Sequence, residues 1–419
     1  MKKIKFVSII IIFVTIFFIL LSLDDELDQN VKNLITNFDR NREVTSHAYI
    51  YLSGISSLNK KDIVKFGTSN LLISQNLEIT TSPISNNKEF GTLDSITPKK
   101  DSSFYCSIWK NGCLERIVSS DTVLEVELDF RKILLERYKE FLSYIDYSTL
   151  TSPIETEVYP NYQYLFYGNR LLTFENLLIA KNQNSAIAIS NLVQNIKKLK
   201  IQLSKADNLL FKLTLVAMIS ESLDMISHIK ITNKPDIIIS IDSLSKNERS
   251  LEPALEREFV YTHNVFRNAN RNPELFNLGG NAYPWFVRLS YKPNMTINDH
   301  YPLYSDLITL SKLSLVEFAV EKSKIKEYSG ENINLRNIFG HSLFELGLET
   351  QEILIGFIAR INDLDAKIAL INYVLGNGPL TNPYYPLKKA GYENDGQLCL
   401  KGPLPDTRNF RCVKKKPQI

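Results

Sequence analysis

An apolar run near the N-terminus constrains this chain more than any other segment. The run covers residues 6–23, follows Met1-Lys2-Lys3-Ile4-Lys5 and precedes Asp24-Asp25-Glu26. At about 1.5 Å per residue, a helix of this length reaches about 27 Å, close to the thickness of a hydrocarbon core. Because lysines precede the run and acids follow it, the sequence predicts a single-pass anchor in the inner (cytoplasmic) membrane. Residues 1–5 are then a cytosolic stub, and the body lies in the periplasm.

A cleaved secretory signal peptide is the competing interpretation, since such a peptide also has a charged start and an apolar centre. The run here is rich in Ile and Phe and ends in Leu20-Leu21-Ser22-Leu23, without a triplet of the A-x-A type. These features favour an anchor that is not cleaved. Both interpretations export the rest of the chain.

Composition narrows the classes of function. The chain has 419 residues, 44% of them hydrophobic, with 22 Phe and 20 Tyr, which predicts folded cores rather than a disordered body. The net charge is +3, and acids and bases are mixed along the chain. A nucleic-acid binder would concentrate basic residues on one face, so this class of function is excluded.

The expected partners are the lipid bilayer, through residues 6–23, and other envelope proteins.

The four cysteines fall in two close pairs, Cys106 with Cys113 and Cys399 with Cys412. Neither pair has the C-x-x-C spacing of a zinc or redox site. In an exported chain such pairs are typical of structural disulfides, so we expect two local disulfide bonds.

Periodicity divides the exported part into three segments. Residues 24–120 form a juxtamembrane region with a cysteine-pinned turn, 121–376 a helical body, and 377–419 a segment rich in Pro and Gly. In the body, apolar residues recur at spacings of three, four and seven, which predicts amphipathic helices. The predicted helices cover residues 121–147, 162–180, 185–203, 205–229, 251–268, 304–328 and 350–375, and residues 271–300 are predicted to be irregular.

The predicted fold class is therefore mainly α. Successive long helices with short connections indicate an irregular helical bundle or an array of helical hairpins behind the N-terminal transmembrane helix. In the C-terminal segment, residues 398–400 and 410–413 are predicted to pair as a small β-hairpin pinned by the second disulfide.

The candidates for chemistry are few. Glu221, Asp224 and His228 follow one another at i, i+3 and i+7, so a helix would bring two carboxylates and an imidazole to one face. Glu256 and His263 repeat the seven-residue spacing. No H-E-x-x-H, Walker loop or G-x-G-x-x-G occurs, and polar helix faces commonly carry such residues. The sequence therefore favours ordinary polar faces and predicts neither a metal nor a cofactor.

Several scattered segments resemble an uncharacterised group of single-pass proteins from Gram-negative bacteria. The segments are the anchor followed by residues 48–54, the Cys106–Cys113 turn, residues 134–138 at the opening of the helical body, and residues 382–384 with Asp395-Gly396 and the short hairpin. The resemblance implies an inner-membrane protein whose body faces the periplasm. It implies no catalytic residue.

Large helical faces and a tether predict a membrane-tethered periplasmic protein that works by binding, as a scaffold or accessory of an envelope assembly. Two alternatives stay open. One is an envelope hydrolase that uses Glu221, Asp224 and His228 between helices. The other is a carrier of a small molecule or lipid, with an apolar cavity between helices.

Overall fold

The computed structural model describes residues 12, 16, 21–59, 62–79, 105–106, 112–182, 184–271, 284–322, 334, 336–388, 391–394 and 396–414. The predicted anchor, residues 6–23, lies almost entirely outside this set. Among the residues that are described, none belongs to a helix with the length and apolar character needed to cross a membrane.

Helices make up most of the described chain, and a small sheet closes it. The helices are α1 (Gln29–Asn41), α2 (His47–Ser53), α3 (Ile63–Ile79), α4 (Cys113–Val118), α5 (Asp121–Phe130), α6 (Lys132–Phe141), α7 (Gln163–Asn182), α8 (Ser185–Lys205), α9 (Leu209–Asn233), α10 (Lys246–Arg249), α11 (Glu252–Arg271), α12 (Pro284–Ser290), α13 (Pro293–Ser311), α14 (Leu315–Glu321) and α15 (Ile338–Leu375). The strands are β1 (Tyr392–Asn394), β2 (Gln397–Cys399) and β3 (Cys412–Lys414). The mainly helical class predicted from the sequence is confirmed.

Helix α9 lies at the centre of the bundle. It packs against α7 and α8, which precede it in the chain and are joined by short connections, and against the long helix α15.

Asparagine caps define the starts of two of these helices. The Asn184 side chain accepts hydrogen bonds from backbone N–H groups at the start of α8, and the Asn208 side chain accepts one from Phe211 N at the start of α9. Such caps satisfy amide groups that have no partner within the helix. Helix α13 packs against both α15 and α11.

The helix predicted over residues 121–147 is divided in the structure. Helices α5 and α6 meet at Arg131, whose backbone leaves the helical region at φ −110° and ψ 21°. Arg131 is buried, pairs with Glu127 one turn earlier, and lies over the ring of Tyr105 at 5.8 Å. The residue that interrupts the apolar stripe is therefore held inward at the junction between the two helices.

Two further boundaries differ from the sequence prediction. The helix predicted from residue 304 begins at Pro293, within the stretch predicted to be irregular, and ends at Ser311. Ser314 and Glu317 form a capping box that begins the separate helix α14. Helix α15 begins at Ile338, twelve residues before the predicted start, and extends over 38 residues.

The C-terminal segment contains an antiparallel sheet in the order β1-β2-β3. Leu398 pairs with Val413, and Cys399 pairs with Cys412, to which it is disulfide-bonded. The predicted hairpin and its disulfide are confirmed, while β1 was not predicted. Val413 belongs to the main core, and Lys414 pairs with Glu115 of α4, so the sheet is attached to the helices.

The Cys106–Cys113 disulfide is also confirmed. It is linked to the core because Arg170 of α7 donates a hydrogen bond to the carbonyl oxygen of Cys106 at 3.0 Å. The main cluster of buried apolar residues extends from Val31 to Val413 and so includes residues from the juxtamembrane, central and C-terminal segments.

Helices α2 and α3 cross at two glycines. A Cβ atom on Gly67 would overlap the carbonyl oxygen of Ile50, and one on Gly54 would overlap that of Ile63. The two backbones can approach this closely only because neither glycine has a side chain. In contrast, a Cβ atom on Gly356 in α15 would meet no described atom within 4 Å.

We expect Gly67→Ala to reduce the free energy of unfolding by about 1–3 kcal/mol, because the crossing helices must separate to admit a methyl group. Gly356→Ala is the matched control and should increase stability by about 0.5–1 kcal/mol, the difference in helix propensity. Urea unfolding followed by circular dichroism measures both. Equal effects of the two substitutions would contradict the close crossing.

Candidate functional site

The sequence candidate Glu221 lies in the core and not on a polar face. Its side chain is 4% exposed and pairs with the buried guanidinium of Arg170 from α7. Asn169 donates a second hydrogen bond to the carboxylate at 3.3 Å. A buried carboxylate with a cationic partner is stable only while both groups are present, which indicates a structural role for this pair.

Asp224 and His228 lie in different surroundings from Glu221. Asp224 accepts a hydrogen bond of 2.7 Å from Lys367 of α15, whose ammonium group also donates to Ser220. Burial raises the pKa of Asp224, and the Lys367 ammonium opposes this shift. His228 is half-buried, and its pKa is lowered by burial and by the nearby charge of Lys181. Glu221 and Asp224 are therefore committed to separate ion pairs, and His228 lies in neither of them.

The second pair of candidates is also divided. Glu256 lines an open cleft beside Lys205 and Asp207. His263 is buried, and its Nδ1 atom lies 3.1 Å from the side-chain oxygen of Asn264. Within the described ranges, no group of three or more His, Cys, Asp or Glu side chains could hold a metal ion.

We expect Glu221→Ala to reduce the free energy of unfolding by about 3–5 kcal/mol, because Arg170 is left as a buried cation without its partner. Glu175→Ala is the control, since Glu175 makes an ion pair of 2.7 Å with Lys139 at the surface. Loss of this exposed ion pair should change the free energy of unfolding by about 1 kcal/mol or less. Similar values for both variants in chemical unfolding would contradict a structural role for Glu221.

A different region has the geometry of a binding site. The middle of α15, residues 351–363, and the loop of residues 404–410 line a cleft of about 680 Å³. Its walls include Gln351, Ile355 and Asp363 from α15, and Phe410 from the loop. Ligand sites are commonly concave and of this size, with a few polar groups set among apolar ones.

Buried charges hold the base of this cleft together. The carboxylate of Asp363 lies 3.3 Å from Nε of Arg411 and accepts a hydrogen bond of 2.8 Å from the hydroxyl of Tyr384. Asp406 accepts from the backbone N–H groups of Arg408, Phe410 and Arg411 and so fixes the loop. Burial raises the pKa of Asp363 to about 7, although Arg411 and Tyr384 both lower it.

The cleft is lined by three cations, Lys322, Arg360 and Arg408, and by three carboxylates, Glu352, Asp363 and Asp406. Two of the carboxylates, Asp363 and Asp406, also lie against Arg411. The pKa of Arg360 is lowered by burial and by the neighbouring charge of Arg408, and the Asp363 carboxylate opposes this shift. A further anion beside the two guanidinium groups would reduce their repulsion.

An apolar groove lies beside the cleft along α15. It has a volume of about 310 Å³ and lies between α11, α13 and the first half of α15. Val265, Leu303, Leu346 and Leu354 are among its lining residues. Burial raises the pKa of Glu258, at one side of the groove, to about 7, so this carboxyl group holds its proton over part of the neutral range.

Gln351 lines both the cleft and the groove. Its side chain is buried, and its amide Nε2 atom has no hydrogen-bond partner among the described residues. A buried amide donor without a partner is uncommon, because it loses its bonds to water without replacement. Between the two cavities there is therefore a buried amide donor whose hydrogen-bonding capacity is not used by the described residues.

The sequence did not identify this site. The spacing of Gln351, Ile355, Ala359 and Asp363 at intervals of four does place these residues on one helix face. However, the cations that meet them, Lys322 and Arg408, come from distant parts of the chain. Only the packing of the C-terminal loop against α15 brings the two sets together.

The Asp363 carboxyl predicts a specific dependence of stability on pH. With a pKa of about 7 in the folded protein and 3.8 as its ordinary value, the folded state binds a proton that the unfolded chain releases between these limits. The stability contributed by this group therefore decreases as the pH rises from about 4 to 7. We expect the difference in unfolding free energy between the wild type and Asp363→Asn to decrease over this range and to level off above it.

Thermal or urea unfolding across this pH range measures that difference. Glu258 titrates in the same window, but it is present in both proteins, so its contribution cancels. A difference that does not change with pH would contradict the raised pKa of Asp363.

Comparison of this chain with protein-family models, with curated proteins and with solved structures found no match. The resemblance to single-pass proteins of Gram-negative bacteria stays a prediction. The function must therefore be argued from the cleft and the groove.

Proposed function

We propose that this chain is a membrane-tethered binding protein of the bacterial envelope, with its body in the periplasm, and that its ligand is an amphiphile with an anionic head group. The observation that carries the proposal is a cleft with Lys322, Arg360 and Arg408 in its wall beside an apolar groove along the same helix, with Gln351 lining both. A role as scaffold or accessory of an envelope assembly is compatible with such a ligand.

The head group is assigned to the cleft. Lys322, Arg360 and Arg408 line it, and the arginines present planar donors that match the oxygens of a phosphate or carboxylate. An anion bound between Arg360 and Arg408 would reduce the repulsion that, after burial, lowers the pKa of Arg360. Bound ligand would therefore favour the charged form of this guanidinium.

The apolar part of the ligand is assigned to the groove. Leu346 is 60% exposed at the groove, and its neighbours Leu303 and Leu354 are buried. An aliphatic chain bound in the groove would be stabilised by about 25 cal/mol for each Å² of apolar surface that it removes from water. Between the two cavities, the buried Gln351 amide would donate to an oxygen that links the head group to the chain once its side chain turns toward the ligand.

The test uses full-length protein in phosphatidylcholine nanodiscs and a hexadecyl phosphate that carries a photoreactive diazirine in its chain. After irradiation, we expect labelled peptides within residues 343–363. The double variant Arg360→Gln, Arg408→Gln should lower this labelling about tenfold at low probe concentration, because a hydrogen bond to a charged group contributes about 1.5–3 kcal/mol. Leu346→Glu should lower it as well, since it places a charge in the groove.

Arg40→Gln is the matched control, because Arg40 is an exposed arginine in α1. It should leave labelling unchanged. Label confined to residues 6–23 would contradict the proposal, since it would report only partition of the probe into the bilayer. Equal labelling by the corresponding diazirine alcohol, with no effect of the arginine variants, would contradict recognition of the anionic head group.

Hydrolysis is a second candidate function, and one observation favours it. Asp363 lines the cleft with a pKa of about 7, a value suited to a general acid or base. This residue replaces Glu221, Asp224 and His228 as the carboxyl group to examine. Mass spectrometry of the same samples would support hydrolysis if the probe were cleaved by the wild type and left intact by Asp363→Asn. An intact probe in both proteins leaves binding as the function.

A further inference from the structure

The segment that leaves the apolar run is held firmly against the body. The Asp24 carboxylate accepts hydrogen bonds from the backbone N–H groups of Asn294 at 3.0 Å and Met295 at 3.2 Å, in the first turn of α13. A carboxylate at this position also interacts favourably with the helix dipole. Asn298, one turn further along α13, donates to Glu26 O at 2.9 Å and accepts from Asp28 N.

Arg336 holds the same segment from the other side. Its guanidinium donates to the carbonyl oxygen of Leu23 at 2.8 Å and lies 3.1 Å from the carboxylate of Asp25. Helix α1, which follows this segment, packs against α11. With contacts on α13, Arg336 and α11, the body has a fixed orientation relative to the end of the apolar run.

Apolar side chains are exposed beside this attachment. Ile338 follows Arg336 by two residues at the start of α15 and is 38% exposed. Phe339 lies 6.0 Å from the ring of Phe286 in α12, and Phe286 is 42% exposed. Leu23, the last residue of the apolar run, is 52% exposed. We call the surface formed by Leu23, Phe286 and Ile338 the exit face.

We infer that the exit face contacts the lipid bilayer in which residues 6–23 are anchored. This inference rests on the proposed membrane tether, and it adds an orientation of the body that the tether alone does not give. The occupant is a bilayer because the exit face includes the last residue of the apolar run and continues from it. Phe is also common on the apolar side of helices that lie in the membrane interface, as Phe286 of α12 would.

The core behind the exit face explains why α12 presents Phe286 outward. Val287 and Tyr291 are buried in a small cluster with Ala269, which packs against Phe339 and Leu343. Tyr291 donates a hydrogen bond of 2.8 Å to the carbonyl oxygen of Phe266. These contacts fix the inner side of α12, so its outer side faces away from the body.

The test places a fluorophore on the exit face of the full-length protein in liposomes. The described cysteines are all in disulfides, so a new cysteine is the reactive thiol. Phe286→Cys, Ile338→Cys and Leu23→Cys are each labelled with the fluorophore NBD, and phosphatidylcholine with a doxyl group on its acyl chain is the quencher. We expect loss of fluorescence at all three positions, relative to liposomes without quencher.

Ile238→Cys is the control position. Ile238 is 97% exposed, and Ile239 and Ile241 beside it bond to Asn377 and Asn372 at the C-terminal end of α15. Since α15 has 38 residues, this position lies about 50 Å along the helix from Ile338. Its fluorescence should not change with the quencher.

Two outcomes would overturn the inference, and they differ in what they say of the tether. Quenching at Leu23 without quenching at Phe286 and Ile338 would mean that the protein is anchored but that its body stands away from the lipid. No quenching at any position would mean that the tether itself is absent. Circular dichroism of each variant verifies that the exposed substitutions leave the helices intact.

Discussion

The buried ion pair between Glu221 and Arg170 is the interaction on which the arrangement of the helices depends. It joins α9 to α7, and Arg170 extends the link to Cys106 in the first disulfide turn. On another side of α9, Asp224 pairs with Lys367 of α15. Because a buried charge without its partner is costly, each pair restricts how the helices can slide against one another. The central helix is thus fixed on both sides by polar contacts within an apolar core.

Much of the helical architecture could be predicted, because apolar periodicity reports which face of a helix is buried. The division at Arg131 could not, since it depends on contacts with Glu127 and Tyr105. Strand β1 had a local signal in Asp395-Gly396, a dipeptide typical of tight hairpin turns, and Gly396 has a φ of 74°. That signal was present in the sequence, but only the pairing of β2 with β3 was predicted from this segment.

The candidate site was the least predictable part. Spacing along one helix selected Glu221, Asp224 and His228, yet the first two are committed to ion pairs in the fold. The cleft instead combines residues of α15, Lys322 directly after α14, and the C-terminal loop, and distances between such segments are not encoded in local patterns. The raised pKa of Asp363 likewise depends on burial beneath that loop.

The length of α15 also determines the distance between the exit face and the cleft, the two surfaces to which the proposals assign lipid and ligand. The helix begins at the exit face with Ile338, the groove is reached at Leu343, and the cleft extends to Asp363. By helical rise, the groove begins about 8 Å from the start of the helix and Arg360 lies about 33 Å from it. If the exit face rests on lipid and α15 stands along the membrane normal, Arg360 lies well above the bilayer surface. The two proposals together then require the head group of a bound amphiphile to leave the plane of the other head groups.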